Sequence, residues 1–252
     1  MRFGFGRHAI TPPAGYSRFQ WGGQSQVATG VLRPLFASAM VVRGEQHLLA
    51  LVSLDLCLIH RDIHERVTQA LREQHPGTEV LVILNCSHSH QAPVLMGPGS
   101  ESYALDYDRQ VVAGILAAIG EARQQAKPGT LALAQGMVSG LNRNRRRPEQ
   151  AVDRMLSAVV ASDAEGQARG LAWHFAAHPL TNMGSTAVWD SDFSGVTNPA
   201  LEARYPGLQA QFLQGPAGDA FPLDWYFGQE NPSWPMGAAT TEYLGERLAQ
   251  GV

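Results

Sequence analysis

Val80-Leu81-Val82-Ile83-Leu84-Asn85-Cys86-Ser87-His88-Ser89-His90 reads as an apolar strand that ends in a polar loop carrying two imidazoles. An unbroken apolar run of this length, bounded by polar residues, is the pattern of a strand buried on both faces, as in sheets flanked by helices. Open α/β sheets place their chemistry beyond the carboxyl ends of such strands. Neutral imidazole is also a favoured zinc ligand. One stretch thus raises two expectations, a helix-flanked sheet and a metal site at one end of it.

The flanking sequence carries the same alternation of elements. Residues 36–42 and 47–56 are apolar and β-rich, and Arg43-Gly44-Glu45 between them predicts a hairpin. In residues 61–74, Ile63, Val67, Ala70 and Leu71 recur at helical spacing, and Pro76-Gly77 closes the segment. Residues 107–125 read as a second amphipathic helix ended by Pro128-Gly129, with a strand over 130–138. A pair of strands follows over 155–161 and 168–177 around a turn at 162–167, and residues 238–250 read as a helix. The class is α/β, with mixed β-sheets and helices packed on the outer faces, as one large domain over 1–252.

Composition bounds the function. The 252 residues are 44% hydrophobic and 16% charged with a net charge of −3, a balance that excludes a globally basic nucleic-acid binder and carries no transmembrane segment. The first residues lack the apolar stretch of a secretory signal, so the expected location for the chain as given is cytoplasmic. A homo-oligomer is compatible with everything in the sequence. Cys57 and Cys86 are too few for a disulfide framework and form no CxxC pair, so they read as buried thiols. There is no Gly-x-Ser-x-Gly elbow, dinucleotide fingerprint or phosphate loop.

A second histidine pair, His174-Phe-Ala-Ala-His178-Pro179, has the i, i+4 spacing of a helical zinc pair. Its aromatic surroundings, the preceding Gly170 and the terminal proline predict a strand instead. There the two residues lie about 13 Å apart, too far to share one ion. His178, at the strand end before Thr181-Asn182-Met183-Gly184, is the expected ligand, and His174 a core histidine. Asp55 is either a support to a ligand histidine or a turn carboxylate. The run Arg143 to Arg147 reads as a loop in which Arg143 is special. Trp225, Tyr226, Phe227 and Trp234 either wall an acyl pocket or pack an ordinary loop, and Gly97-Pro98-Gly99-Ser100 reads as a flexible rim.

The order of short motifs carries a resemblance. Ile10-Thr11-Pro12-Pro13, Val52-Ser53-Leu54-Asp55 and Ser87-His88-Ser89-His90-Gln91-Ala92-Pro93 resemble the ADITPP, VSLD and THTHSGP segments of the neutral/alkaline ceramidase family. Leu141-Asn142-Arg143, His178 to Gly184, Ser191-Asp192-Phe193-Ser194-Gly195 and Gly215-Pro216-Ala217-Gly218-Asp219 follow in the family's order. The resemblance is to the N-terminal catalytic region and implies a zinc-dependent hydrolase that cleaves an amide (N-acyl) bond with a metal-activated water, on a small-molecule or lipid-like substrate. Carried over by motif, His88 and His178 would be zinc ligands, while His90 would move a proton and Arg143 steady the oxyanion or a substrate carboxylate. Asp55, Asn182, Asp192 and Asp219 would support them, and one of the three aspartates could add a carboxylate ligand.

Two positions depart from the family pattern. Ala9 replaces its first acidic residue, and Phe221 stands where ceramidases carry a serine after Gly-Asp. Family members also run longer and take further glutamate and tyrosine ligands from their later part. Two other readings stay open: a hydrolase of another ester, lactam or sugar-derived amide, and a non-catalytic binding protein with a degenerate metal site.

Overall fold

The computed structural model describes residues 1–13, 15–18, 26–97, 105–182, 187–222 and 238–252. In chain order the strands are β1 (Arg2–Ala9), β2 (Ser17–Arg18), β3 (Gln26–Val27), β4 (Gly30–Val31), β5 (Phe36–Arg43), β6 (His47–Leu54), β7 (Glu79–Cys86), β8 (Lys127–Pro128), β9 (Thr130–Met137), β10 (Asn142–Asn144), β11 (Met155–Ser162), β12 (Ala168–Phe175), β13 (Val188–Trp189), β14 (Gln209–Gln214) and β15 (Ala220–Pro222). The helices are α1 (Arg61–Gln74), α2 (Leu105–Gln124), α3 (Ser194–Arg204) and α4 (Ala238–Gly251). None is long and apolar enough to cross a membrane.

Two mixed sheets stack between helices, as the alternation of elements led one to expect. The first has the order β7-β6-β5-β1-β8 and the second β14-β12-β11-β9. Each is antiparallel except for one pair, β6 with β7 and β12 with β14. Helices α1 and α2 cover the outer face of the first sheet, packing Ile63, Val67, Leu71 and Ile115 on Ala50, Val52 and Leu54. Helices α3 and α4 cover the second, with Leu201, Leu244 and Leu248 against Trp173 and Phe212. Between the sheets lie Phe3, Phe5, Met40 and Ala161.

Strand β1 shows how composition sets these layers. Side chains alternate across a strand, so Phe3 and Phe5 point between the sheets while Gly4 and Gly6 face α2. A Cβ at Gly4 would lie 2.0 Å from the Ala122 carbonyl oxygen, and one at Gly6 2.3 Å from that of Ala118. The helix backbone therefore rests directly on the strand. Helix α1 spans the residues expected, with Ile63, Val67 and Leu71 buried on one face. Gly77, at φ 79°, follows it in the left-handed conformation that turns the chain into β7.

Strand β7 departs from expectation. It is an edge strand in which Val80 and Val82 are buried, while Leu81 is 57% exposed and Ile83 44%. The second sheet covers only part of the first sheet's inner face, so an apolar run that reads as buried on both sides is buried on one. Strands β6 and β12 are also shorter than the runs read from sequence, ending at Leu54 and Phe175. The residues after them leave the ladders to build the site.

The sheets are locked by buried and partly buried polar contacts. Gln214 N donates to Asn85 Oδ1 at 2.7 Å, Ser53 Oγ to the Phe212 carbonyl, and Gln211 Nε2 to the Leu51 carbonyl at 3.3 Å. Arg7 holds Glu202 through two bonds of 3.1 and 2.6 Å and also bonds Ser38 and the Ala210 carbonyl. These contacts fix the levels of the strands. Asn85 meets Gln214, and Gln214 pairs with Phe175. Residues 85 and 175 thus sit level, at the same end of the two sheets.

Candidate functional site

Three residues past Asn85 comes His88, and three past Phe175 comes His178. The matched levels bring them together although 90 residues separate them in sequence. The ring centroids of His88 and His178 are 4.8 Å apart, those of His90 and His178 4.8 Å, and those of His88 and His90 5.1 Å. His90 Nε2 is 2.9 Å from His178 Nε2. His90 is 1% exposed and His178 7%.

The backbone sets the tautomers. Nδ1 of His88 lies 2.8 Å from the Cys57 carbonyl oxygen and Nδ1 of His178 3.0 Å from that of Ala217. A carbonyl can only accept, so both Nδ1 atoms carry a proton, and in the neutral tautomer this fixes Nε2 as the atom with the lone pair. Protein ligands to zinc are oriented in this way. Burial, with the neighbouring imidazoles and Arg145, pushes the His90 pKa down to about 3. Burial likewise holds His178 at about 4, against the opposing bond to Ala217. Both rings are neutral at pH 7, the form that binds a metal.

The loop that presents His88 is not the extended segment its sequence implies. His88 has φ 66°, in the left-handed region that side chains disfavour. Ser87 N and His88 N hold it there by donating to the carbonyls of Leu54 and Leu56 at 2.8 and 3.0 Å. Asp192, at φ 61°, is the other non-glycine residue in this region among the described residues. Both lie at the site, where such strain concentrates.

A buried polar lattice joins the two histidine loops. Asp190, 0% exposed, accepts two bonds from Arg33 Nη1 at 3.0 and 2.9 Å and one from Asn182 Nδ2 at 3.0 Å. Its carbonyl accepts from Ser89 Oγ at 2.7 Å, and its N–H donates to the Gln91 carbonyl at 3.1 Å. Gln91 Nε2 closes the circuit on the Asn182 carbonyl at 2.6 Å, and His90 N donates to the Pro179 carbonyl at 3.0 Å. Asp192 accepts Thr181 N, Thr181 Oγ1 and Phe193 N, all within 2.9 Å. Burial beside Asp190 raises its pKa to about 7 despite those donors. Sequence reasoning found Asn182 and Asp192 but missed Arg33, Asp190, Ser89 and Gln91. The only hint was a polar run directly after Trp189.

The other expected residues divide. Asp55 Oδ2 accepts Phe36 N at 3.0 Å across the β5–β6 pair, with a pKa that burial raises to about 7. Asp219 Oδ2 accepts Asn144 Nδ2 at 2.9 Å. Among the described residues, Asp55, Asp192 and Asp219 are engaged in these bonds and none bonds an imidazole. Arg143 lies in β10, paired opposite Phe221 in β15, and the Phe221 ring is 5.1 Å from that of His178. His174 is half-buried in β12, and its Nδ1 has no hydrogen-bond partner among the described residues, so it is not the satisfied core histidine expected. Cys57 and Cys86 are free thiols, buried and half-buried. The aromatic residues 225–227 and 234, positions 98–100 of the glycine-rich rim and residues 183 and 184 lie outside the described residues.

Two donor sets fit a cation here. One is the three imidazoles, and the other is Cys57, His88 and His90, whose ligand atoms lie within 4.8 Å of one another. The thiol, however, lies 3.8 Å from His88 Nδ1, the nitrogen already turned to a carbonyl, and burial pushes its pKa up to about 12. Of these groups the imidazoles of His88 and His178, each with Nδ1 on a backbone carbonyl, are the better ligands.

Comparison with known proteins identifies the family and the fold. The family model for neutral/alkaline non-lysosomal ceramidase, N-terminal, matches residues 1–215. The neutral ceramidase of Pseudomonas aeruginosa is 27% identical over 256 aligned positions, covering 88% of this chain and 37% of that protein. The crystal structure of neutral ceramidase from the same organism superposes with a TM-score of 0.83 at 23% identity, over 99% of this chain and 43% of that one. A ceramidase complexed with C2 gives 0.82 at 23% identity, over 99% and 42%. The chain thus spans less than half the length of these relatives. Its match through 215 consecutive residues places it in the neutral/alkaline non-lysosomal ceramidase family, as a bearer of that family's N-terminal region.

Proposed function

We propose that this chain is the metal-binding and catalytic region of a zinc-dependent hydrolase that cleaves an amide (N-acyl) bond. The observation that carries the reading is the convergence of three imidazoles, from two distant loops, with centroids no more than 5.1 Å apart. His88 and His178 are the ligands, because each has Nδ1 fixed to a backbone carbonyl, which leaves Nε2 to meet an ion. An all-imidazole set suits zinc. When bound, the ion polarises the amide carbonyl and acidifies a water molecule.

The chain's own residues do the rest. His90, neutral and 2.9 Å from His178 through Nε2, sits where it can take a proton and return it to the leaving amine. Arg143, across the β10–β15 pair from the ring beside His178, supplies positive charge where an oxyanion develops. Asp190 and Asn182 hold the two loops in register, so the imidazoles are ordered before substrate arrives.

The test is hydrolysis of N-acyl amides by the full chain with zinc added and with zinc removed by a chelator. His90→Ala keeps its zinc and loses about 10²–10⁴ in turnover, the range of general acid–base catalysis. Loss of the metal itself in that variant would make His90 a ligand. Absence of any zinc-dependent hydrolysis would remove the proposal.

A further inference from the structure

Strand β12 ends at Phe175, so the two residues between it and His178 have left the ladder. Side-chain amides take over their carbonyls. Asn142 Nδ2 donates to the Ala176 carbonyl at 2.6 Å, and Gln214 Nε2 donates to the Ala177 carbonyl at 3.2 Å. The same Gln214 nitrogen also donates to the Gly215 carbonyl at 3.0 Å. Its Oε1 is buried with no hydrogen-bond partner among the described residues, so the amide is oriented by its donors alone. A flipped amide would set its oxygen against two carbonyl oxygens, which can only accept.

Gly215 opens the segment between β14 and β15, and that segment supports His178. Gly215 N donates to the Phe175 carbonyl at 3.3 Å, the Ala217 carbonyl takes His178 Nδ1 at 3.0 Å, and the Ala220 carbonyl takes His178 N at 2.9 Å. The Gln214 amide therefore ties the chain just before this histidine to the start of the segment that orients its ring. The main chain of Gln214 is gripped in turn by Asn85, at the end of the strand that leads to His88. Asn85 Oδ1 accepts Gln214 N at 2.7 Å, and its Nδ2 donates to the Gln214 carbonyl at 3.4 Å. A side-chain amide that bonds both main-chain groups of one residue acts as a further rung between β7 and β14. One residue thus touches the supports of both histidine loops.

We propose that Gln214, gripped by Asn85, is a positioning residue of the metal site. It fixes the Ala217 carbonyl against His178 and holds that imidazole, 4.8 Å from His88 between ring centroids, where one ion reaches both. The metal-binding part rests on the zinc reading above; the orientation of His178 in the metal-free chain does not.

The experiment uses the full chain. Gln214→Met keeps the length of the side chain and removes both donors. Zinc affinity measured by calorimetry falls about ten- to a hundredfold, the usual cost of losing a hydrogen-bonding group behind a ligand. Long-range nitrogen–proton NMR of the metal-free chain at pH 7 reads the imidazole tautomers. In the parent His178 is protonated on Nδ1; in Gln214→Met it populates both tautomers, while His88, held by the Cys57 carbonyl, keeps its own. Gln211→Met is the control, since it removes a bond to the Leu51 carbonyl from the same strand, and it retains the parental zinc affinity and tautomers even where it lowers the thermal midpoint. Asn85→Ala gives the same losses as Gln214→Met, and it decides alone if Gln214→Met does not fold by circular dichroism. Parental zinc affinity, an unchanged His178 tautomer, or matching losses in Gln211→Met overturns the inference. A parent that binds no zinc, with a His178 tautomer that still shifts in Gln214→Met, removes the metal reading and leaves the positioning role standing.

Discussion

Asp190→Ala is the substitution whose cost the structure defines best. It removes two charge-assisted bonds from Arg33 and one each from Asn182 and the backbone N–H of Asp192, at a position with no solvent to replace them. Breaking a buried ion pair from one side costs about 3–5 kcal/mol, because the other charge is left unpaired. Arg33 is 13% exposed and keeps Glu242 at 3.3 Å, a partner that is itself 62% exposed, so its charge is not wholly stranded. The loss then falls in the lower half of the range, about 3–4 kcal/mol. Urea unfolding at pH 7 followed by tryptophan fluorescence measures it directly, since Trp189 is fully buried next to the mutated residue. Adding Arg33→Ala to Asp190→Ala should cost less than the sum of the two single losses by about 1–3 kcal/mol. A single variant within 1 kcal/mol of the parent, or strict additivity in the pair, would refute the claim that this lattice is buried and coupled.

Two more substitutions probe the sheets and the titrating carboxylates. A Cβ at Gly170 would fall 1.7 Å from the Phe5 ring, so Gly170→Val should cost about 2–4 kcal/mol despite valine's β propensity, with Phe5→Ala recovering part of that in the double variant; a thermal midpoint unchanged by Gly170→Val would show that the sheets are not packed as described. Asp55 has its pKa raised from 3.8 to about 7 by burial, so the native state keeps a proton that the unfolded chain gives up. Stability contributed by this group is full below about pH 4 and is lost as pH rises toward 7, by up to about 4 kcal/mol at 1.4 kcal/mol per unit. Asp55→Asn should remove that component. Urea midpoints at pH 5 and pH 8 that fall equally in parent and variant would contradict it.

Much of this was legible in the sequence, for identifiable reasons. Helix α1 shows its boundaries because its apolar spacing and the Pro76-Gly77 stop agree, so local chemistry alone decides it. The strand reading holds for His174, whose aromatic neighbours outweigh an i, i+4 coincidence, while His178 lies beyond the strand, which ends at Phe175. The convergence of His88 with His178 came from family resemblance, since no local pattern links residues 90 apart. What was hidden depends on which surfaces meet. Leu81 and Ile83 look buried until the second sheet is seen to cover only part of the first. Arg33 and Asp190 lie 157 positions apart, and neither sits in a pattern that names the other. The left-handed turn at His88 is equally silent, because it is imposed by the hydrogen bonds that Ser87 N and His88 N donate to the carbonyls of Leu54 and Leu56 at the end of β6.

The central claim is that His88 and His178 hold one divalent ion between them. Zinc titration of the metal-free full chain by calorimetry, repeated on His88→Ala and His178→Ala, tests it most directly. The account predicts one zinc per chain in the parent and loss of tight binding in both variants, with the fold retained by circular dichroism. A parent that takes up no zinc, or either variant binding zinc as the parent does, contradicts it.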